Sequence, residues 1–323
     1  MEKELMVSVR NVSKTFPVGK SLLGKPTKFV HAVNNISFDV YAGETFSIVG
    51  ESGCGKSTTG RLINHLLTPD SGEIWFQGKE ISKLTPDEMR PLRKDMQMIF
   101  QDPAGSLNPR MRVNELIEEP LLIHTKLNAD ERAKIVNELL GIVGLSAKHA
   151  QRFPHEFSGG QKQRIGIARA LTVNPKLVIA DEPVSALDVS IQAQVLNLLH
   201  RLQQEYNLTY IFISHDLSVV EMISDRIAVM YLGSVVELAP KTDLYKQPLH
   251  PYTQALLSAV PIPDPTHKKN RIILEGDIPS TINLPKGCPF AARCKMCKPE
   301  CLERRPETKE VAPGHFVACH LFD

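Results

Sequence analysis

At 323 residues, with 42% hydrophobic and 23% charged residues, the chain is long enough for one large α/β domain plus a smaller appendage. Its 38 Lys and Arg against 36 Asp and Glu leave a formal net charge of +2, which gives no electrostatic case for nucleic acid or an anionic membrane surface. Met1 to Arg10 lacks the apolar core of a signal peptide, and no apolar run approaches the ~20 residues that cross a bilayer; the expected place is the cytosol, with membrane attachment supplied by a partner.

Along the chain, Met6-Val7-Ser8-Val9 and Ile36-Ser37-Phe38-Asp39-Val40 alternate as strands of an antiparallel sheet. Between them Gly19 to Thr27, rich in Gly, Lys and Pro, reads as an exposed loop or hairpin insertion. Thr45-Phe46-Ser47-Ile48-Val49 reads as a buried strand, followed by a glycine loop and a helix from Lys56 to about Leu67. Ile74-Trp75-Phe76 and the Gly78 turn return to the antiparallel sheet. From about Pro109 to Arg152 the pattern is helical, with Leu116, Ile117, Leu121, Leu122 and Ile135, Leu139, Leu140, Val143 at three- and four-residue steps. Leu177-Val178-Ile179-Ala180 and Tyr210-Ile211-Phe212-Ile213 read as strands with helices between them, which implies a parallel sheet covered on both faces. After about Leu238 come Pro248, Pro251, Pro261, Pro263 and Pro265, then a cysteine segment, read together as a separate small module on a proline-rich linker.

Two motifs carry chemistry on their residues alone. Gly50-Glu-Ser52-Gly53-Cys54-Gly55-Lys56-Ser57, with Thr58 after it, lies between a strand and a helix and fits the phosphate-binding pattern G-x-x-x-x-G-K-[ST]. Such glycines turn backbone N–H groups toward phosphate oxygens at a helix N-terminus. Lys56 is then expected on the β- and γ-phosphates and Ser57 on Mg²⁺. Cys54 reads as a small filler whose place near a helix N-terminus would lower its thiol pKa. The second motif is an apolar strand ending in Asp181-Glu182. Asp181 suits the metal's hydration shell, and Glu182 suits orienting and polarising the attacking water.

Phe157-Ser158-Gly159-Gly160-Gln161, followed by Gln163-Arg164, resembles the LSGGQ signature of ABC ATPases, with Phe in place of the leading Leu. The resemblance implies a P-loop ABC ATPase fold: a parallel core sheet, an antiparallel β subdomain and a helical subdomain. It also implies catalysis across a dimer, with the signature meeting the γ-phosphate held by the opposite subunit. On the same resemblance Gln101 is the glutamine-loop residue touching Mg²⁺ and water. Ser185-Ala186-Leu187-Asp188 resembles the loop linking two active sites, His215 the switch histidine, and Phe16 the aromatic that stacks on adenine. The expected division is 1–240 for the nucleotide-binding domain, with the helical subdomain at about 103–170, and 241–323 for the linker and cysteine-rich module.

Gln101 to Arg110, Pro248-Leu-His-Pro-Tyr-Thr253 and the cysteine tail look like the oligopeptide/dipeptide importer branch, and Phe16-Pro17-Val18-Gly19 looks like its F-type ATPase. That likeness implies a heterodimer with a second, D-type ATPase, two transmembrane permeases, an extracytoplasmic solute-binding protein and a place on the cytoplasmic face of the membrane. The alternative is a non-transport ABC ATPase with a zinc-binding tail. One cassette, no sustained heptads and near-balanced charge weigh against that alternative, and Glu182 with His215 weighs against a non-hydrolysing scaffold.

Of six cysteines, Cys54 stands alone and Cys288, Cys294, Cys297, Cys301 and Cys319 crowd the last 36 residues. Four thiolates suit a [4Fe–4S] cluster, the Cys294-x-x-Cys297 spacing suits zinc, and free thiols remain a third reading. The importer branch resembles this tail at Cys288, Cys294, Cys301 and Cys319, which implies the cluster and leaves Cys297 as an extra. The cargo is not legible, because such an ATPase does not touch it.

Overall fold

The computed structural model describes residues 4–20, 26–260, 271–276 and 279–323. Pro261, Pro263, Pro265 and residues 21–25 of the expected insertion lie outside the described residues. In chain order the strands are β1 Leu5–Lys20, β2 Pro26–Tyr41, β3 Thr45–Val49, β4 Ser71–Phe76, β5 Lys79–Glu80 and β6 Met96–Ile99. There follow β7 Leu177–Asp181, β8 Thr209–Ser214, β9 Arg226–Tyr231, β10 Ser234–Pro240, β11 Thr308–Ala312 and β12 His315–Ala318. Internal packing divides the chain into two units, one of Leu5–Val40, Thr45–Lys83 and Ser214–Asp323, the other containing Tyr41–Glu44 and Leu84–Ile213.

The first unit carries a sheet in the order β2-β1-β4-β5. β1 runs antiparallel to β4, with Val7 opposite Phe76 and Val9 opposite Ile74, four side chains that are almost fully buried. Alternation with a period of two puts them on one face, which is why a short valine pattern was enough to mark the strand. The register shifts between Arg10 and Ser13, where Asn11 takes a left-handed φ of 50°. This is a bulge, and it re-aims the stretch that carries Phe16.

In the same unit β11, β12, β10, β9 and β3 lie side by side in that order. β3 is parallel to β9, pairing Val49 with Val229. β9 returns into β10 through Leu232-Gly233, with φ of 44° and 79°, a two-residue turn of the twist hairpins favour. β12 then pairs antiparallel with β10, Glu237 opposite Val317. The expected boundary at residue 240 is therefore not where the units divide. The open edge of β10 is filled by the C-terminal hairpin, since an unpaired edge leaves its N–H and C=O groups unsatisfied.

Glu237 completes that stitching. Its carboxylate is buried and accepts the backbone N–H groups of Leu249 at 2.8 Å and His250 at 2.9 Å, with His315 Nε2 at 2.7 Å. His250 in turn accepts from the Tyr252 N–H at 3.1 Å and caps the helix Pro251–Ser258. Burial holds the His250 imidazole down at about 4, so it stays neutral and able to accept. The Pro248 to Thr253 motif is thus a folded clamp, not a linker.

In the second unit β8, β7 and β6 are parallel neighbours, and every residue from Leu177 to Asp181 is buried. Burial on both faces explains why these strands read as apolar runs instead of alternating ones. Helices Val113–His124, Ala129–Ile142, Gly159–Leu171 and Val189–Tyr206 accompany them. Leu116, Ile117 and Leu121 of the first are buried, but Leu122, grouped with them by spacing, is exposed because one step past Leu121 turns it off the apolar face. The helix after β3 also stops early, at Ile63 and not at Leu67, since His65 takes a left-handed φ of 51°.

Candidate active site

The phosphate loop leaves β3 and closes onto the helix Lys56–Ile63. Gly50, Gly53 and Gly55 have φ of 149°, 79° and 104°. A Cβ on Gly50 would stand 2.2 Å from the Met230 carbonyl oxygen, and one on Gly55 would stand 2.1 Å from that of Ala32. Gly53 meets nothing within 4 Å, so its requirement is conformational only. Ser52 and Gly53 face solvent, Ser57 and Thr58 are half-buried, and Lys56 is 4% exposed. The Lys56 ammonium donates to the Gly50 carbonyl at 2.8 Å and the Glu51 carbonyl at 3.1 Å. The loop is thus tied by the same cation that its sequence assigns to phosphate. Cys54 is buried, and burial pushes its thiol up in spite of the neighbouring Lys56, the reverse of the expected lowering. Desolvation of a thiolate outweighs the cation here.

Also in this unit, Phe16 lies half-buried on β1 with the Lys14 ammonium 5.8 Å from its ring centre. Its ring is neither core nor free-standing, and it keeps an accessible portion. His215 follows β8, exposed on a turn in which the Asp216 N–H bonds the Ser214 hydroxyl at 3.0 Å.

The second unit contains Asp181, Glu182 and Gln101. Asp181 ends β7 at 1% exposure. Glu182 follows with a left-handed φ of 46°, its N–H fixed on the Ile213 carbonyl at 2.9 Å. A non-glycine residue held in that region costs about 1–3 kcal/mol and is kept where surrounding structure enforces it, typically at functional sites. Gln101, just past β6, donates its Nε2 to the Glu182 carboxylate at 2.8 Å. The sequence placed these residues 81 positions apart, and the parallel pairing of β6 with β7 brings them together.

Ser158 begins the helix Gly159–Leu171 with a capping box: its hydroxyl accepts from the Gln161 N–H at 3.4 Å, and its N–H bonds the Gln161 side chain at 3.1 Å. Ser158 and Gly159 are exposed at that helix start, while Gly160 is buried where a Cβ would press on Ile191 at 2.4 Å. Asp188 caps Val189–Tyr206, accepting from the Ser190 hydroxyl at 2.8 Å and the Ile191 N–H at 3.0 Å; those bonds hold its carboxyl below the usual range. Gln192 pins the same loop through the Val184 and Leu187 carbonyls, each at 3.0 Å.

The cysteines divide by burial. Cys288, Cys301 and Cys319 are buried and Cys294 is partly so, whereas Cys297 is exposed. Burial, with the nearby Cys301, Cys319 and Cys294 adding to it, pushes the Cys288 thiol up to about 11.

Models of known families agree with this arrangement. The ABC transporter model matches residues 33–185, and that of the oligopeptide/dipeptide transporter C-terminal region matches residues 236–301. The oligopeptide transport ATP-binding protein AppF of Bacillus subtilis is 56% identical, covering 99% of this chain and 98% of its own. The chain belongs to the ABC transporter ATP-binding subunits. Other members of the family include OppF of Escherichia coli, an oligopeptide transport ATP-binding protein 51% identical over 99% of this chain and 97% of its own. DppF of the same organism, a dipeptide transport ATP-binding protein, is 49% identical over 97% and 93%. Among solved structures, a dimeric ATP-binding cassette, MJ0796, in a post-hydrolysis state bound to ADP and Pi superposes with a TM-score of 0.66 at 32% identity, covering 73% of this chain and 99% of that one. This ABC subunit is an ATPase, and among its described residues no helix is long and apolar enough to cross a membrane.

Three residues, one in the phosphate loop and two that bond to it from the tail, carry no signal in the sequence pattern. Glu51 occupies a variable position of the pattern, Tyr252 lies in the tail motif, and Arg293 sits between two cysteines that drew attention for their sulfur alone.

Proposed function

We propose that this chain is the F-type ATPase of a peptide importer, hydrolysing ATP at the cytoplasmic face of the membrane to drive uptake through two permeases beside a D-type partner ATPase. One observation carries the hydrolytic half: a carboxylate at a strained strand end, Glu182, is held by Gln101 at 2.8 Å beside the buried Asp181. A base fixed in this way can take the proton of an attacking water. Lys56 and the N–H groups of Gly50 and of residues 52 to 58 bind the phosphates, Phe16 stacks on adenine, and His215 meets the γ-phosphate. Ser158 to Gln161 close over the γ-phosphate of a partner subunit, and Asp188 links the two sites. Peptide as cargo rests on the names of relatives 49–56% identical along the full chain.

For Mg²⁺ the ligands are the Ser57 hydroxyl and the Gln101 amide oxygen, hard donors of the kind the cation prefers, with Asp181 acting through the hydration shell. When bound, the cation neutralises phosphate charge. Cys288, Cys294, Cys301 and Cys319 would hold a [4Fe–4S] cluster in a structural role. Three of these thiols, Cys288, Cys301 and Cys319, are buried and Cys294 is partly so, and four thiolates are the donor set such a cluster takes.

Two measurements test this reading. Cells expressing the complete importer should take up labelled oligopeptide, and Lys56→Ala should reduce that uptake to background; uptake that survives the change would remove this chain from the coupling. Anaerobically purified protein should contain about four irons and four acid-labile sulfides per chain. Zinc, or neither metal, would overturn the cluster assignment.

A further inference from the structure

The phosphate loop is gripped from the C-terminal tail at one residue, Glu51. Its N–H donates to the Tyr252 hydroxyl at 2.9 Å. Its carboxylate takes both arms of the Arg293 guanidinium, Nη1 to Oε2 at 2.9 Å and Nη2 to Oε1 at 3.2 Å. Its carbonyl accepts from the Lys56 ammonium at 3.1 Å and from the Cys54 N–H at 3.3 Å. Every polar group of Glu51 is therefore occupied, and three of its five hydrogen bonds come from the tail.

The tail holds Arg293 with equal definition. It ends the 3₁₀ turn Ala291–Arg293, its N–H on the Phe290 carbonyl at 3.0 Å, directly between Cys288 and Cys294. Phe290 is 1% exposed, and its ring centre lies 5.3 Å from that of Tyr231, 5.4 Å from Tyr252 and 5.6 Å from His250. The guanidinium also lies 5.9 Å from the Tyr231 ring centre. With the Arg293 side chain only 8% exposed, the forked pair cannot exchange its partner for water at low cost.

We propose that Arg293 is a positioning residue for the phosphate loop, setting ATP affinity from the tail by fixing Glu51 and, through the Glu51 carbonyl, the Lys56 ammonium. The proposal rests on residues 50–57 being the ATP phosphate site. Arg293 does not touch nucleotide in this scheme. Its effect is geometric, and small misplacement of a binding group is enough to cost one or two orders of magnitude. A role confined to docking the tail would instead lower the melting temperature and leave the affinity of the folded protein alone.

The test is equilibrium binding of a fluorescent N-methylanthraniloyl ATP to the purified full chain, with nucleotide-free melting curves on the same samples. Arg293→Met and Glu51→Gln should each weaken binding about tenfold, and the double variant no more than either alone, because both cut the same link. Arg293→Lys, which keeps the charge and loses the fork, should fold and still bind several-fold more weakly. Unchanged affinity in Arg293→Lys and in any folded Arg293→Met would overturn the proposal, as would additive losses in the double variant. Wild-type binding that Lys56→Ala leaves untouched would overturn the phosphate-loop assignment itself, and this proposal with it.

Discussion

Replacing Glu182 by glutamine is expected to cut ATP turnover by about 10²–10⁴, the contribution of a positioned general base, while ATP affinity changes by no more than about twofold. The substitution preserves shape. Glutamine has the same length, its amide oxygen can still accept from Gln101 Nε2, and the left-handed backbone at φ 46° is enforced by the bond from the Glu182 N–H to Ile213. What glutamine lacks is the capacity to receive a proton. A loss confined to kcat, measured by phosphate release with parallel nucleotide binding, would assign the base to this side chain. Retention of more than about a tenth of the turnover would place the base elsewhere, since removing one normally costs at least a hundredfold.

The second large effect separates the three glycines of the phosphate loop. Gly55→Ala should abolish nucleotide binding, because its new Cβ would stand 2.1 Å from the Ala32 carbonyl oxygen at a φ of 104°. Gly50→Ala should do the same against Met230, at 2.2 Å. Both obstacles are backbone, which cannot swing aside as a side-chain end can. Gly53→Ala meets no neighbour within 4 Å and carries only its left-handed φ of 79°, a cost of about 1–2 kcal/mol. It should therefore bind ATP within about thirtyfold of wild type. Equal losses at all three positions, in proteins that still melt cooperatively, would mean that backbone crowding is not what the loop glycines relieve.

Much of the site could be read before any coordinates because its chemistry depends on contiguous backbone. The roles proposed for residues 50–57, 158–161 and 181–182 rest on neighbouring N–H groups or on one strand end, so fixed spacing is a sufficient signal for them. Burial, by contrast, is a property of what packs around a residue. Cys54 stands at a helix start, where position alone argues for a lowered thiol pKa, yet enclosure raises it. Leu122 has the apolar spacing of its neighbours and still faces solvent. The break expected at residue 240 followed a change in composition, and sheet pairing ignored it: β12 comes back to β10.

The sequence by itself determined the reaction class and the family, because local spacing encodes phosphate and water chemistry. Only the tertiary structure decided that Arg293 grips Glu51 from 242 residues away, that Glu237 clamps the Pro248 to Thr253 turn, and that Gln101 meets Glu182. Those contacts are set by which strand edges close on one another and which charges burial forces to pair, and neither leaves a periodic trace along the chain.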